Sequence, residues 1–195
     1  MDTDQEAYTK RLIEQSAWWK RALDVQAPYR WNLRRLNMGF TLDIGCGLGR
    51  NLIHLDGNGV GIDHNPHSVE VARSRGLQVF TPDEFQRSAF NVPASFDSIL
   101  LSHVVEHMAK GEAVELLASY LYLLKAEGQV VIIAPQERGY RSDETHVQFM
   151  DFQTLKEIAR SAGLDTVKQY SFPFPRVFGR IFKYNEFVSI NKKST

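Results

Sequence analysis

The sequence has one cysteine, no long apolar run and no excess of either charge. Because Cys46 is the only cysteine, an internal disulfide and zinc sites built mainly from cysteine are excluded. The longest clean apolar run, residues 130–134, is far shorter than the roughly 20 residues of a membrane-spanning helix. Lys plus Arg and Asp plus Glu both number 23, which argues against a protein that coats nucleic acid through bulk charge.

The rest of the composition is typical of one globular domain. The 195 residues, of which 43% are hydrophobic, suffice for one domain with a single core. Residues 1–6 are acidic and polar, which is not typical of a signal peptide. Together with the single cysteine, this start leads us to expect a cytoplasmic protein.

Helical and strand patterns alternate along the chain. Residues 1–36 predict an N-terminal helical cap divided by Pro28, and residues 37–195 predict the main part of a single α/β domain. The alternation predicts a doubly wound, mostly parallel seven-stranded sheet with helices on both faces. The last two strands lack a crossover helix between them, so we expect them to be antiparallel. Strands are expected at 40–44, 59–63, 77–81, 96–102, 129–134, 165–172 and 185–192. Helices are expected at 112–124, after a cap at Asn65 and after a cap at Asp151.

The strongest motif lies at the first strand-to-helix turn. Its glycines, Gly45, Gly47 and Gly49, allow the backbone to turn tightly and to approach a ligand. The dinucleotide pattern G-x-G-x-x-G requires a glycine where this chain has Arg50. Asp43 precedes the loop, where its charge would repel a pyrophosphate and attract a cationic amino-acid group. A nicotinamide-dependent oxidoreductase is therefore the less favoured function.

The segment 43–50 resembles the first motif of the Rossmann-like (class I) methyltransferases that depend on S-adenosylmethionine. The later motifs follow in that family's order from about residue 36 to 192, closest to its small-molecule methyltransferases. The resemblance implies an enzyme that uses S-adenosylmethionine and releases S-adenosylhomocysteine. It also implies a set of cofactor-binding residues, which comprises Asp43, Gly45, Cys46, Gly47, Asp63, His64, Asp83, Phe85, Ser102 and His103.

Four side chains after the second and third strands match cofactor-binding roles of that family. The resemblance implies that Asp63 holds the ribose hydroxyls, with His64 beside the ribose or adenine. Asp83, with Glu84 as the alternative, matches the acid that receives the adenine amino group, and Phe85 would pack near the ring. The structural alternative is that these acids are turn or helix-cap residues.

Two histidine-containing segments resemble the family's acceptor region, residues 102–108 and 145–149. His107 and His146 are the candidate catalytic bases, because the unperturbed pKa of histidine is about 6.5. The alternative is that both only fix loops through hydrogen bonds. His103 begins an H-x-x-E-H pattern, but it ends a strand, so the zinc geometry is doubtful and no metal site is predicted.

The methyl acceptor is not identified by any motif. The N-terminal segment carries five large aromatic residues, which either pack in the core or line the acceptor pocket. They are Tyr8, Trp18, Trp19, Tyr29 and Trp31. The loop 173–184 interleaves aromatic and basic residues, a pattern that suits an anionic or aromatic substrate, an oligomer contact or a nucleic-acid surface. Basic ends flank an acidic middle, 36–167. We expect O- or N-methylation of a small molecule, anionic or aromatic. The first alternative is an RNA-modifying methyltransferase, which is less favoured because the sequence shows no appended RNA-binding domain. The second is a regulator that binds the cofactor without catalysis.

Overall fold

The computed structural model describes residues 26–194, and the chain divides into two compact units, residues 1–91 and 92–195. In the first unit, β1 pairs with β2 and β2 with β3, all in parallel. Its elements are α1 (Ala27–Arg35), β1 (Thr41–Ile44), α2 (Arg50–His54), β2 (Gly59–Ile62), α3 (Pro66–Ser74), β3 (Val79–Phe80) and α4 (Pro82–Gln86). Tyr8, Trp18, Trp19 and most of the predicted cap lie outside the described residues, so the cap stays a prediction.

The second unit contains the four remaining strands. β4 pairs with β5 in parallel, and β7 pairs antiparallel with both β5 and β6. The elements are β4 (Phe96–Ser102), α5 (Lys110–Tyr120), β5 (Leu124–Pro135), α6 (Glu137–Tyr140), α7 (Phe152–Ser161), β6 (Leu164–Phe172) and β7 (Glu186–Lys193). Three single-turn 3-10 helices lie at Val105–His107, Leu121–Leu123 and Arg176–Arg180.

The seven strands belong to one sheet in the order β3-β2-β1-β4-β5-β7-β6. The predicted mostly parallel α/β fold with an antiparallel last pair is confirmed. The position of β7 between β5 and β6 was not predicted. Apart from its first residues, β5 is buried almost continuously, as is typical of a strand covered on both faces, whereas β6 is buried only at its two ends.

Each unit has its own buried apolar residues. In the first unit, side chains of the glycine loop, α2, α3 and β3 form a cluster that comprises Cys46, Leu52, Val69, Ala72 and Val79. In the second unit, the buried residues lie mainly on β4, β5, α5 and α7. Within residues 26–194, no helix is both long and apolar enough to cross a bilayer.

Polar side chains determine where three helices begin. Asn65 accepts hydrogen bonds from the backbone amides of His67 (3.0 Å) and Ser68 (3.3 Å), and Asp151 accepts one from the Thr154 amide (2.8 Å). Both caps were predicted. Thr81 begins α4 in a reciprocal capping box, in which its amide donates to the Glu84 carboxylate at 2.8 Å. The sequence analysis missed this short helix.

The largest boundary error is at the start of β5. The predicted helix 112–124 ends at Tyr120, a 3-10 turn follows, and β5 begins at Leu124 rather than at residue 129. Leu124 pairs with Phe96, and a register shift follows before Ser98 pairs with Gln129. The irregular stretch carries exposed polar residues, so its strand character has no periodic signal.

The capping box gives a pH-dependent prediction for Glu84. The hydrogen bond from Arg73 (2.7 Å) and the Thr81 amide lower the pKa of Glu84 to about 2. The stabilising effect of this carboxylate is therefore complete above its unfolded pKa of about 4.3 and is lost as the pH falls through 2. Glu84→Gln keeps the capping geometry and removes the charge, so we expect it to lower the free energy of unfolding by about 0.5–1 kcal/mol at pH 6.

Urea unfolding at pH 6 and pH 3.5 measures this effect. The difference between wild type and Glu84→Gln is expected to shrink at pH 3.5. Glu127→Gln, at an exposed position on β5, is the control and is expected to change little at either pH. A Glu84→Gln loss of equal size at both pH values would contradict the ionic contribution of Glu84.

Candidate functional site

The loop after β1 has its three glycines in the left-handed backbone region, with φ of 70° at Gly45, 52° at Gly47 and 76° at Gly49. A Cβ on Gly49 would lie 2.2 Å from Leu77 Cδ1, so the Leu77 side chain would have to move to admit it. A Cβ on Gly47 would meet no atom within 4 Å. Gly49 therefore faces the protein interior, whereas Gly47 faces open space that a ligand can approach.

Asp63, which follows β2, holds the backbone of this loop. The Gly47 amide donates a hydrogen bond to Asp63 Oδ2 (2.7 Å), and the Asn65 amide donates to Oδ1 (2.9 Å). The Ile62 carbonyl also accepts from the amides of Gly45 (2.8 Å) and Cys46 (3.1 Å). The observed role of Asp63 is thus to join the loop to the end of β2. Its ribose-binding role stays a prediction, and its carboxylate oxygens have further lone pairs for it.

Asp43, on β1, is a fully buried carboxylate. Neither of its oxygens has a hydrogen-bond partner of good geometry among residues 26–194. Burial raises the pKa of Asp43 to about 7, the Asn51 side chain and the Arg50 charge oppose this rise, and the Asp63 charge adds to it. Because buried polar groups are nearly always paired in proteins, an unpartnered carboxylate beside a glycine loop indicates a missing ligand with a positive charge or hydrogen-bond donors.

Cys46 is buried in the same loop and packs against β2. A Cβ at Gly61 would lie 2.5 Å from its sulfur, so β2 needs glycine there. Burial raises the pKa of the Cys46 thiol, and the charges of Asp43 and Asp63 raise it further. A protonated, buried thiol is a poor nucleophile, which agrees with the interpretation of Cys46 as a loop residue.

The two acids at the start of α4 differ in their partners. The Glu84 carboxylate accepts hydrogen bonds from the Thr81 amide and from Arg73. Asp83 is exposed, and its carboxylate forms no hydrogen bond or ion pair within the described part of the chain. Asp83 is therefore the better candidate for the adenine amino group, as the sequence analysis preferred, although that role stays a prediction.

Two other predicted cofactor residues in the first unit have contrasting surroundings. The His64 side chain is exposed, and its Nδ1 lies 3.9 Å from Asp63 Oδ1. Phe85 is only 1% exposed, and its ring centroid lies 6.5 Å from that of Phe80. The contacts of Phe85 are those of a core residue, and a cofactor role for either residue stays a prediction.

In the second unit, Ser102 ends β4 as a buried residue, and His103 follows in the left-handed region with φ of 59°. His103 Nε2 lies 2.8 Å from Glu186 Oε1, and its Nδ1 lies 3.2 Å from Glu106 Oε1. Burial lowers the pKa of His103, but the two carboxylates outweigh burial and raise that pKa to about 9. His103 is thus an imidazolium held between two acids at neutral pH. The cofactor roles of Ser102 and His103 stay predictions.

The candidate bases His107 and His146 lie together, with ring centroids 4.8 Å apart. His107 Nδ1 lies 3.3 Å from the Thr145 carbonyl oxygen, and His146 Nδ1 lies 2.7 Å from the Tyr140 carbonyl oxygen. Because a carbonyl only accepts, these contacts place a proton on each Nδ1 and leave each Nε2 with its lone pair when the ring is neutral. Burial lowers the pKa of His107, which favours the neutral ring.

Glu106 completes this cluster, and the sequence analysis did not select it. Its side chain is fully buried, and neither carboxylate oxygen accepts a hydrogen bond of good geometry from residues 26–194. One ligand-type atom from each of Glu106, His107 and His146 lies within 4.8 Å of the others. The E-H pair was visible in the sequence, but no pattern relates it to His146 in a distant segment.

In the loop 173–184, one of the basic residues is paired within the protein. Arg176 donates a 2.8 Å hydrogen bond to Glu137 and lies 4.7 Å over the Phe187 ring, so it has structural partners. The loop nevertheless exposes large apolar side chains, which are Phe174, Val177, Phe178, Ile181 and Tyr184.

The contrast between two glycines gives a stability prediction. Alanine in the left-handed region costs about 1–2 kcal/mol, and overpacking adds about 1–3 kcal/mol. We expect Gly49→Ala to have both costs because of Leu77, and the control Gly57→Ala, with φ of 76° and open space, to have only the first. Urea unfolding is expected to show Gly49→Ala less stable than the control by about 1 kcal/mol, the low end of the overpacking range, because the end of the partly exposed Leu77 side chain can move. Equal losses in the two variants would argue against tight packing at Gly49.

Comparisons with known proteins agree with this geometry. The family described as "Methyltransferase domain" matches residues 38–169, which is more than half of the chain. A search of curated proteins found no significant match.

Three solved structures show the same fold. An Archaeoglobus fulgidus SAM-dependent methyltransferase is 22% identical, with a TM-score of 0.66 over 85% of this chain and 93% of that one. A chain from the Haloferax volcanii complex of the Trm112 methyltransferase activator with a putative methyltransferase is 18% identical, with a TM-score of 0.68 over 98% and 96%. The Synechocystis PCC 6803 magnesium protoporphyrin IX methyltransferase with bound SAH is 13% identical, with a TM-score of 0.66 over 98% and 96%.

The family match confirms the predicted enzyme class, a methyltransferase. The shared fold agrees with the predicted resemblance to the class I methyltransferases. This chain belongs to the methyltransferase domain family.

Proposed function

We propose that this methyltransferase transfers the methyl group of S-adenosylmethionine to an oxygen or nitrogen atom of a small molecule. The observation that carries the proposal is the buried, unpartnered carboxylate of Asp43 at the start of the glycine loop. S-adenosylmethionine carries a cationic α-amino group, and this group is the kind of partner that a buried carboxylate requires.

The glycine loop supplies the remaining contacts of this proposal. Gly47 has open space above its Cα, so the ligand can approach the loop backbone closely. Asp63 fixes the direction of the Gly47 amide through its 2.7 Å hydrogen bond. The predicted ribose contact would use a free lone pair of Asp63, and the predicted adenine contact would use the unpartnered carboxylate of Asp83.

Methyl transfer requires little of the protein beyond the alignment of donor and acceptor. In the in-line displacement, the sulfur–methyl bond breaks, the acceptor–methyl bond forms, and S-adenosylhomocysteine leaves as a neutral thioether. Holding the two reactants in line supplies most of the rate enhancement. An oxygen or nitrogen acceptor also loses a proton, and His107 and His146 stay the predicted proton acceptors. His103 is unsuited to that role, because its pKa of about 9 leaves it protonated at neutral pH.

Charge pairing favours a small molecule over RNA as the acceptor. Several basic side chains that an RNA surface would need are already paired with carboxylates, in the pairs Arg34–Asp56, Arg73–Glu84, Lys110–Glu157, Lys125–Asp97 and Arg176–Glu137. RNA binding requires many cations that are free to neutralise phosphates. The loop 173–184 instead exposes aromatic and aliphatic side chains, which suit an aromatic acceptor. A cytoplasmic location stays a prediction.

Asp43→Asn tests the donor site. The replacement preserves the shape of the side chain and removes its charge, so we expect the affinity for S-adenosylmethionine to fall about 10- to 100-fold at pH 8. Because the pKa of Asp43 in the free protein is about 7, the advantage of wild type over Asp43→Asn is expected to decrease from pH 8 to pH 6. Isothermal titration calorimetry measures both affinities.

Asp56→Asn is the matched control for this test, since Asp56 is an exposed acid of the same unit that pairs with Arg34. We expect its affinity for S-adenosylmethionine to equal that of wild type at each pH. Unchanged binding by Asp43→Asn, in a variant with wild-type stability, would refute the proposed contact with the amino group.

The acceptor class is tested with radiolabelled S-adenosylmethionine. Purified enzyme is incubated with a fractionated small-molecule cell extract or with total RNA, at about 50 mM and 200 mM salt. We expect the label to enter small molecules, with little effect of salt. Label in RNA that falls steeply at the higher salt concentration would instead support the RNA-modifying alternative.

A further inference from the structure

We propose that Glu106, His107 and His146 form a binding site for a divalent transition-metal ion. One ligand-type atom from each of the three residues lies within 4.8 Å of the other two. Ligands that lie about 2.0–2.1 Å from a tetrahedral zinc ion are about 3.4 Å apart, so modest side-chain rotations bring the three atoms to coordinating distance.

The buried carboxylate of Glu106 supplies the independent evidence for a ligand. The side chain is fully buried, and neither oxygen accepts a hydrogen bond of good geometry within the described ranges. His103 Nδ1 lies 3.2 Å from Oε1, but His103 is also held by Glu186 at 2.8 Å. His103 therefore keeps a carboxylate partner when Glu106 turns toward an ion. The His103 imidazolium faces Oε1, whereas Oε2 has no hydrogen-bond partner among residues 26–194. A metal ion at Oε2 would supply the partner that this buried oxygen lacks.

The two histidines have the outer contacts that metal-binding histidines commonly have. His146 Nδ1 donates to the Tyr140 carbonyl at 2.7 Å, which directs the Nε2 lone pair away from the backbone. The Thr145 hydroxyl donates to Asp143 Oδ1 at 2.8 Å, so its oxygen is free to accept from His107 Nδ1 at 3.2 Å. Such carbonyl- and carboxylate-linked contacts fix the tautomer and orientation of a metal-bound imidazole.

The set of donor atoms indicates the class of ion. Two imidazole nitrogens and one carboxylate oxygen suit zinc and neighbouring first-row ions, whereas magnesium and calcium prefer oxygen alone. Three protein ligands leave at least one coordination position open, as in catalytic zinc sites. This site differs from the H-x-x-E-H pattern, since His103 Nε2 is taken by Glu186 and the second histidine comes from residue 146.

The open position suggests a role that depends on the proposed function. An acceptor hydroxyl bound there would have a lowered pKa and would lose its proton more readily, as metal-bound water does. In that case His107 and His146 hold the ion instead of accepting the proton, and the proton passes to solvent water. The metal site itself does not depend on methyl transfer, because its binding can be measured without S-adenosylmethionine.

The test uses cobalt(II) and zinc(II) as probes on full-length protein that has been treated with a chelator and desalted. We expect one cobalt(II) ion per chain, with the visible absorption bands of a four- or five-coordinate nitrogen–oxygen site, and displacement of cobalt by one equivalent of zinc. Wild-type protein that shows no such bands and binds no zinc by calorimetry would overturn the proposal, whatever the variants do.

Variants then locate the site. We expect Glu106→Gln and His146→Ala each to weaken zinc binding at least 10-fold, whereas His67→Ala, at an exposed histidine of the first unit, retains wild-type affinity. Unchanged zinc binding in both cluster variants would also overturn the proposal. S-adenosylmethionine binding to the metal-free protein is measured in parallel. Zinc binding without S-adenosylmethionine binding contradicts the proposed function alone, and the reverse result contradicts the metal site alone.

Discussion

The carboxylate of Asp63 connects the ends of the first two strands. One oxygen holds the Gly47 amide and the other holds the Asn65 amide, so the glycine loop and the start of α3 share a single anchor. The Ile62 carbonyl holds the Gly45 and Cys46 amides, and Asp63 adds the contact to Gly47, which has no side chain to pack. The placement of Cys46 in the core and the open space above Gly47 both follow from this anchored loop. Because these hydrogen bonds lie within the protein, they pre-organise the loop and reduce the entropic cost of binding a ligand.

Three buried carboxylates differ in how the protein compensates the cost of burying them. Asp63 accepts hydrogen bonds at both oxygens, and its burial is thereby compensated. Asp43 and Glu106 are buried without hydrogen bonds of good geometry from residues 26–194. The His103 imidazolium, 3.2 Å from Glu106 Oε1, offsets part of the desolvation cost of Glu106, whereas Asp43 has no such cation in ion-pair contact among the same residues. A fold keeps such groups when a ligand supplies the missing partner. The proposed partners are the amino group of the donor for Asp43 and a metal ion for Glu106.

Local sequence signals predicted the elements whose cause is local. The turn after β1 was predicted from its glycines and Asp43. Asn65 and Asp151 were predicted as caps, because a side-chain oxygen at such a position accepts hydrogen bonds from the free amides of the first helical turn. The β7 position could not be predicted, because it depends on pairing with β5 and β6 across long loops. The cluster of Glu106, His107 and His146 was missed for the same reason, since only tertiary folding brings residue 146 to this place. The cofactor residues were named through family resemblance, and the unpaired state of Asp43 required a structure.

The strand order has a consequence for biosynthesis. β7 is the last strand to be made, yet it pairs with both β5 and β6, as in the pairing of Val131 with Ile190. While a ribosome is still translating residues 186–193, β6 lacks its neighbour and one edge of β5 is unpaired. The second unit therefore completes its sheet only at a late stage of translation, whereas the β1–β3 segment has already emerged. During that interval other nascent chains can pair with the open backbone edge of β5. A chaperone bound at this edge would prevent that association.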